Sequence, residues 1–125
     1  MFHNFINEGS VLAVLLMTYA QNVGIEIAQI ANSPESRKIN APRLVQGGLA
    51  TLFMLFTLPM SFWSAFYIGS YDGLLAGFVS WIVIQVVGAI LTIFLGIKGP
   101  AIAFHFLAAI PCGIAGYYLS YSTFP

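Results

Sequence analysis

The chain has 125 residues, 59% of them hydrophobic and 6% charged, and its four Lys or Arg balance its four Asp or Glu. A soluble domain carries roughly 25% charged residues to keep its surface hydrated, so the composition excludes a soluble enzyme, a disordered chain and an electrostatic nucleic-acid binder, which needs a basic excess. One cysteine, Cys112, excludes a disulfide scaffold.

What fits is an all-α integral membrane protein forming a single transmembrane domain over residues 1–125. Four apolar segments, at about 10–31, 42–68, 74–97 and 100–120, each have the roughly 20 residues a helix needs to cross hydrocarbon. Continuous apolar runs rather than short alternating ones predict helices and not a β-barrel. The short connections predict an up-down four-helix bundle with consecutive helices as antiparallel neighbours.

Residues 1–9 carry no Lys or Arg, so the first segment reads as a retained helix and not as a signal peptide. Within it Thr18, Asn22, Glu26 and Gln29 are spaced four, four and three apart and share one face. Such a stripe belongs against other protein, because a carboxylate at bilayer depth costs a few kcal/mol. The loop 32–43 is the hydrophilic one and holds Arg37, Lys38 and Arg43, with Asn40 as an expected N-cap and Pro42 in the first turn of helix 2. Pro59 falls inside helix 2 and is expected to kink it and free the Leu55 carbonyl.

Gly69-Ser70-Tyr71-Asp72-Gly73 reads as a tight turn. Helix 3 then presents Trp81, Gln85, Gly88 and Thr92 on one line, continued by Gly77 and Gly96, and Gly73-x-x-x-Gly77 is a small-residue packing pair. Lys98-Gly99-Pro100 is expected to end helix 3 and start helix 4. Helix 4 shows Ala101, His105, Ala108, Cys112 and Ala115 on one stripe, a second packing pair at Ala109 and Gly113, and a kink at Pro111 that frees Leu107.

The bases Arg37, Lys38, Arg43 and Lys98 all fall on one side, which the positive-inside rule makes cytoplasmic, with both termini outside. Phe62, Trp63, Phe66, Tyr67, Tyr71, Tyr117, Tyr118 and Tyr121 gather at the outer edge, as amphipathic rings do at headgroups. Of these, Phe62 and Phe66 are the ones expected to pack inside the bundle.

Counted from the cytoplasmic ends, Glu26, Gln46, Thr92 and His105 reach a similar depth, roughly 6–9 Å. Glu26 is the one carboxylate and His105 the one imidazole within a span. Three readings compete: a protonatable or cation-binding site tuned by the pair, a static network fixing helix register, and snorkelling of Glu26 to a nearby base. The expected function is an oligomeric proton- or cation-linked channel or transporter in a bacterial inner membrane, with Gln29, Gln46, Gln85, Asn22 and Thr92 beside the pair. The alternative is a non-catalytic membrane subunit of a larger respiratory or photosynthetic complex. Neither enzyme motif nor metal cluster is visible, and no cofactor is expected; haem through His105 would need a partner's ligand or a five-coordinate iron. The expected partners are membrane lipids and further copies or other membrane subunits, and no nucleic acid.

Overall fold

The computed structural model describes residues 1–33, 42–98 and 101–125. Arg37, Lys38 and Asn40, together with Gly99 and Pro100, lie outside those residues. All regular structure among the described residues is helical: α1 (His3–Glu8), α2 (Val11–Ala31), a 3₁₀ turn (Arg43–Gln46), α3 (Gly48–Thr57), α4 (Met60–Asp72), α5 (Leu74–Leu95) and α6 (Ala101–Ser122). Four stretches are long and apolar enough to cross a bilayer: α2, α3 continued by α4, α5, and α6. The chain is a small polytopic integral membrane protein.

Helix α2 starts where Ser10 caps it, the Ser10 hydroxyl accepting from the Ala13 N–H at 3.1 Å. A cap of this kind stabilises a helix by about 1 kcal/mol. This helix is the centre of the bundle and packs against α3, α4, α5 and α6. Half of its membrane-length stretch is buried, against 17% of that of α5, which is also the most apolar of the four. In lipid that ordering is physically sensible, because the outermost helix meets hydrocarbon on most of its surface.

Ala13, Met17, Ala20, Val23 and Ile27 of α2 are fully buried. Opposite them α6 offers Ile102, Phe106, Ala109, Gly113, Gly116 and Ser120, buried at spacings of four, three, four, three and four. This stripe lies one position away from the expected one; Ala101, Ala108, Cys112 and Ala115 are exposed or half-buried. Gly116 decides which line wins, since it lets the backbones of α2 and α6 come closest. A Cβ on Gly116 would stand 2.6 Å from Met17 Cγ and 3.1 Å from the Ala13 carbonyl oxygen. Thus α6 packs chiefly on α2, not on its chain neighbour α5.

Several helix ends differ from the sequence expectation. The tight turn expected over 69–73 contracts to Gly73 alone, at φ 100°, and α4 continues to Asp72. The reason is tertiary: Gly69 faces Gly77 across the α4–α5 crossing, where a Cβ on Gly77 would lie 3.0 Å from the Ala65 carbonyl and 3.3 Å from Gly69 Cα. Helix 2 begins at Gly48 and not at Pro42, which instead precedes the 3₁₀ turn, because Gly47 is extended. Gly96 ends α5 in the left-handed region at φ 63°, and the Ile97 N–H donates back to the Thr92 carbonyl. Residues 3–8 form a helix that no sequence pattern announced.

The two prolines behave differently. Pro59 separates α3 from α4, whereas α6 runs through Pro111. In the interrupted turn the Phe56 carbonyl accepts from the Tyr117 hydroxyl at 2.8 Å, so a neighbouring helix satisfies a group the break exposes.

If the Gly116 approach sets the α2–α6 distance, Gly116→Leu should lower unfolding stability in bicelles by about 1–3 kcal/mol through overpacking. Leu74→Ala, at a residue 92% exposed, serves as the control and should leave the unfolding midpoint nearly unchanged.

Candidate functional site

The polar groups collect where α2, the C-terminal end of α5 and the first turns of α6 meet. On α2, Tyr19, Asn22 and Glu26 are spaced three and four residues apart, and so project toward one side. His105 is 8% exposed, and both of its ring nitrogens are engaged. Nδ1 lies 2.7 Å from the Tyr19 hydroxyl, and Nε2 lies 3.2 Å from the Leu95 carbonyl oxygen. Leu95 ends α5, so its carbonyl is one of the last-turn acceptors with no helical N–H to meet. His105 supplies that donor from another helix.

A second contact joins α2 to α5. The Asn22 side-chain amide donates to the Thr18 carbonyl at 2.8 Å, and its Oδ1 lies 3.4 Å from the Thr92 hydroxyl. That hydroxyl also reaches the Gly88 carbonyl at 2.9 Å. A Cβ on Gly88 would collide with the Asn22 amide. Three residues singled out from sequence for different reasons, Asn22, Gly88 and Thr92, therefore meet at one crossing.

Glu26 is 6% exposed, two turns from Tyr19 toward the end that carries the exposed Arg43 and Lys98. Glu26 has an interaction partner of its own. Gln85 is half-buried. Gln29 is exposed, and its backbone carbonyl accepts from the Ser33 hydroxyl at 2.5 Å. Gln46 is exposed in the 3₁₀ turn, with its amide 3.4 Å from the Pro42 carbonyl. The structure thus brings Asn22, Thr92, Glu26 and His105 to the inside and leaves Gln29 and Gln46 outside. Ala109 and Gly113 lie on the α2-facing stripe of α6, and Gly113 also abuts Phe56 and Met60.

Sequence reasoning missed Tyr19. Its signal was available, since it shares the helix face of Asn22 and Glu26, but a tyrosine in an aromatic-rich chain reads as packing. The Leu95 carbonyl has no sequence signal at all.

Several buried hydroxyls turn back onto their own helices. Thr18 donates to the Val14 carbonyl at 2.7 Å, Ser80 to Gly77 at 2.7 Å and Ser120 to Tyr117 at 3.0 Å. Ser120 also accepts from Trp63 Nε1 at 2.8 Å, and Ser64 donates to Met17 Sδ at 3.9 Å, so these two hydroxyls link helices as well. The opposite end of the bundle is closed by side chains. Asp72 accepts from the Asn4 and Phe5 N–H groups at 3.1 and 2.9 Å, which pins α1 across it. Tyr67, fully buried, accepts from the Ser10 N–H at 2.7 Å, and the Tyr67 and Tyr71 hydroxyls both reach Thr123. Phe62 and Phe66, expected inside, are 66% and 60% exposed, and Tyr67 takes the interior place because its hydroxyl has partners there.

Grooves open on the bundle's outer surface. One of about 580 Å³ runs between α4 and α5 and includes Phe66, Gly77 and Trp81; a smaller one, about 180 Å³, lies between α3 and α6. Neither is lined by Glu26, His105, Asn22 or Thr92. Among the described residues no three His, Cys, Asp or Glu side chains come together as metal ligands.

Comparison with protein-family models, with curated proteins and with solved structures gives no match to this chain.

The Asn22–Thr92 contact is open to a double-mutant cycle. Asn22→Ala and Thr92→Val should show a coupling of roughly 0.6 kcal/mol, the average for interhelical hydrogen bonds in membranes. The readout is reversible unfolding in bicelles.

Proposed function

We propose that the chain is one unit of an oligomeric, proton- or cation-linked channel or transporter of a bacterial inner membrane, with its basic end in the cytoplasm. One observation carries the reading: Glu26, the sole acid within the apolar part of a span, is held at 6% exposure on the α2 face that also bears Tyr19. A carboxylate at that depth is expensive unless it is neutralised or paired, and membrane proteins keep such groups mainly where ions or protons move. In this reading Glu26 holds the proton or cation and His105 tunes it, with Asn22, Gln85 and Thr92 nearby.

The path runs between chains. Within the described part of one chain, hydroxyls such as Thr18 and Ser80 are satisfied by their own helices, and the two grooves lie on the outer surface, away from Glu26 and His105. A bundle of four spans therefore reaches a conducting arrangement most simply by association.

A second reading has its own support in α5, whose membrane-length stretch is only 17% buried. A subunit of a larger membrane complex would cover such a helix with a partner. Native electrophoresis after mild extraction separates the two, with self-multiples expected for the transporter and co-migration with unrelated large chains for the subunit.

The transport reading predicts that Glu26→Gln abolishes proton or cation flux in reconstituted vesicles while insertion and assembly persist. Undiminished flux in that variant would overturn it.

A further inference from the structure

The surroundings of His105 assign the position of its proton. A neutral imidazole has one donor and one acceptor nitrogen. The Leu95 carbonyl, 3.2 Å from Nε2, can only accept, so Nε2 carries the hydrogen. Nδ1 is then the acceptor, and the Tyr19 hydroxyl at 2.7 Å is its donor. Every group is satisfied in this one tautomer. The opposite tautomer would set the lone pair of Nε2 against the lone pairs of a carbonyl.

The same contacts accommodate a second proton. If Nδ1 becomes protonated it donates, and the Tyr19 hydroxyl, which can accept as well as donate, only has to turn. Nε2–H continues to donate to Leu95, now as a charge-assisted bond at the negative end of the α5 dipole. No heavy atom needs to move. A buried histidine placed purely for packing would not require partners that suit both states.

The charged and titratable groups on the elements around it can be named. α2 brings Tyr19 and Glu26, and α6 itself brings Cys112, seven residues on. Lys98, in the connection from α5, and Arg43, in the 3₁₀ turn, are both exposed. α5 brings no titratable side chain.

We propose that Tyr19, His105 and the Leu95 carbonyl form a reversible proton-binding site, in which the Leu95 carbonyl fixes the tautomer and Tyr19 is the positioning residue that serves both protonation states. The site shares the α2 face of Glu26 and deepens the transport reading. The inference concerns the imidazole alone, however, and holds whether or not Glu26 carries an ion.

The test is ¹⁵N NMR of histidine-labelled protein in bicelles, titrated with pH, with His3→Gln removing the second imidazole signal. At high pH the His105 spectrum should show the Nε2–H tautomer as the dominant neutral form. On acidification both nitrogens should move reversibly to imidazolium values while the backbone spectrum stays that of the folded protein. Tyr19→Phe removes the hydroxyl and keeps the ring. It should leave Nε2–H the dominant neutral form, because the Leu95 carbonyl remains, and shift the Nδ1 resonance as that nitrogen loses its donor, without unfolding the bundle. A dominant Nδ1–H tautomer, no titration while the protein remains folded, or an Nδ1 resonance unmoved by Tyr19→Phe would each overturn the proposal. Should Tyr19→Phe fail to fold, the wild-type tautomer and its titration decide the matter alone. Loss of flux in Glu26→Gln with the wild-type His105 titration intact would separate the two ideas.

Discussion

The constraint on which the rest of this structure depends is that hydrocarbon offers no hydrogen bonds. Every polar group carried into the membrane must find its partner within the protein. The most polar span, α2, therefore takes the middle of the bundle, where four other helices can meet it. The most apolar, α5, takes the periphery. Burial is distributed by polarity in the opposite sense to a soluble bundle; Gly69, Gly77 and Gly116 mark where backbones close on one another, and Gly88 and Gly113 make room for the side chains of Asn22, Phe56 and Met60.

The same constraint explains which polar groups bridge helices. Hydroxyls such as Thr18 and Ser80 reach carbonyls a turn back and need no neighbour. Wherever a helix is broken or ends, the exposed backbone must look across the bundle. Tyr117 answers the Phe56 carbonyl beside Pro59, and His105 answers the Leu95 carbonyl at the end of α5. Asp72 does the reverse, accepting from the free N–H groups at the start of α1. These three contacts tie the irregular points of the chain to regular ones, and one of them holds the single imidazole of the spans.

Much of this was legible in the sequence, and particular residues show where legibility stopped. The spans stood out because a run of about 20 apolar residues has few other uses. Glu26 stood out because its depth follows from counting. The helix ends were less legible. Gly69 reads as a breaker, yet it is a crossing residue, and Gly96 reads as part of a polar line, yet it is the left-handed stop of α5. A glycine permits both a turn and a close approach, and only the neighbouring helix decides between them. Helix α1 was illegible for a similar reason, since the carboxylate that holds its first turn comes from Asp72, a residue 67 positions away from Phe5.

Composition and periodicity alone determined that this chain crosses a membrane four times, that its bases gather at one end, and that a carboxylate is left inside. Those properties follow from local chemistry: apolar length, charge position and the 3.6-residue turn. The charge total of zero with which the sequence begins conceals that sorting, and no folding is needed to see it. The partners of the interior groups were decided only by tertiary structure. Glu26 and His105 reach similar depths on different helices, so spacing could align them but not pair them. The azimuth at which each helix packs set the Tyr19 hydroxyl and the Leu95 carbonyl against the imidazole. Depth is a one-dimensional quantity that a sequence carries, whereas azimuth is a property of helices packed together.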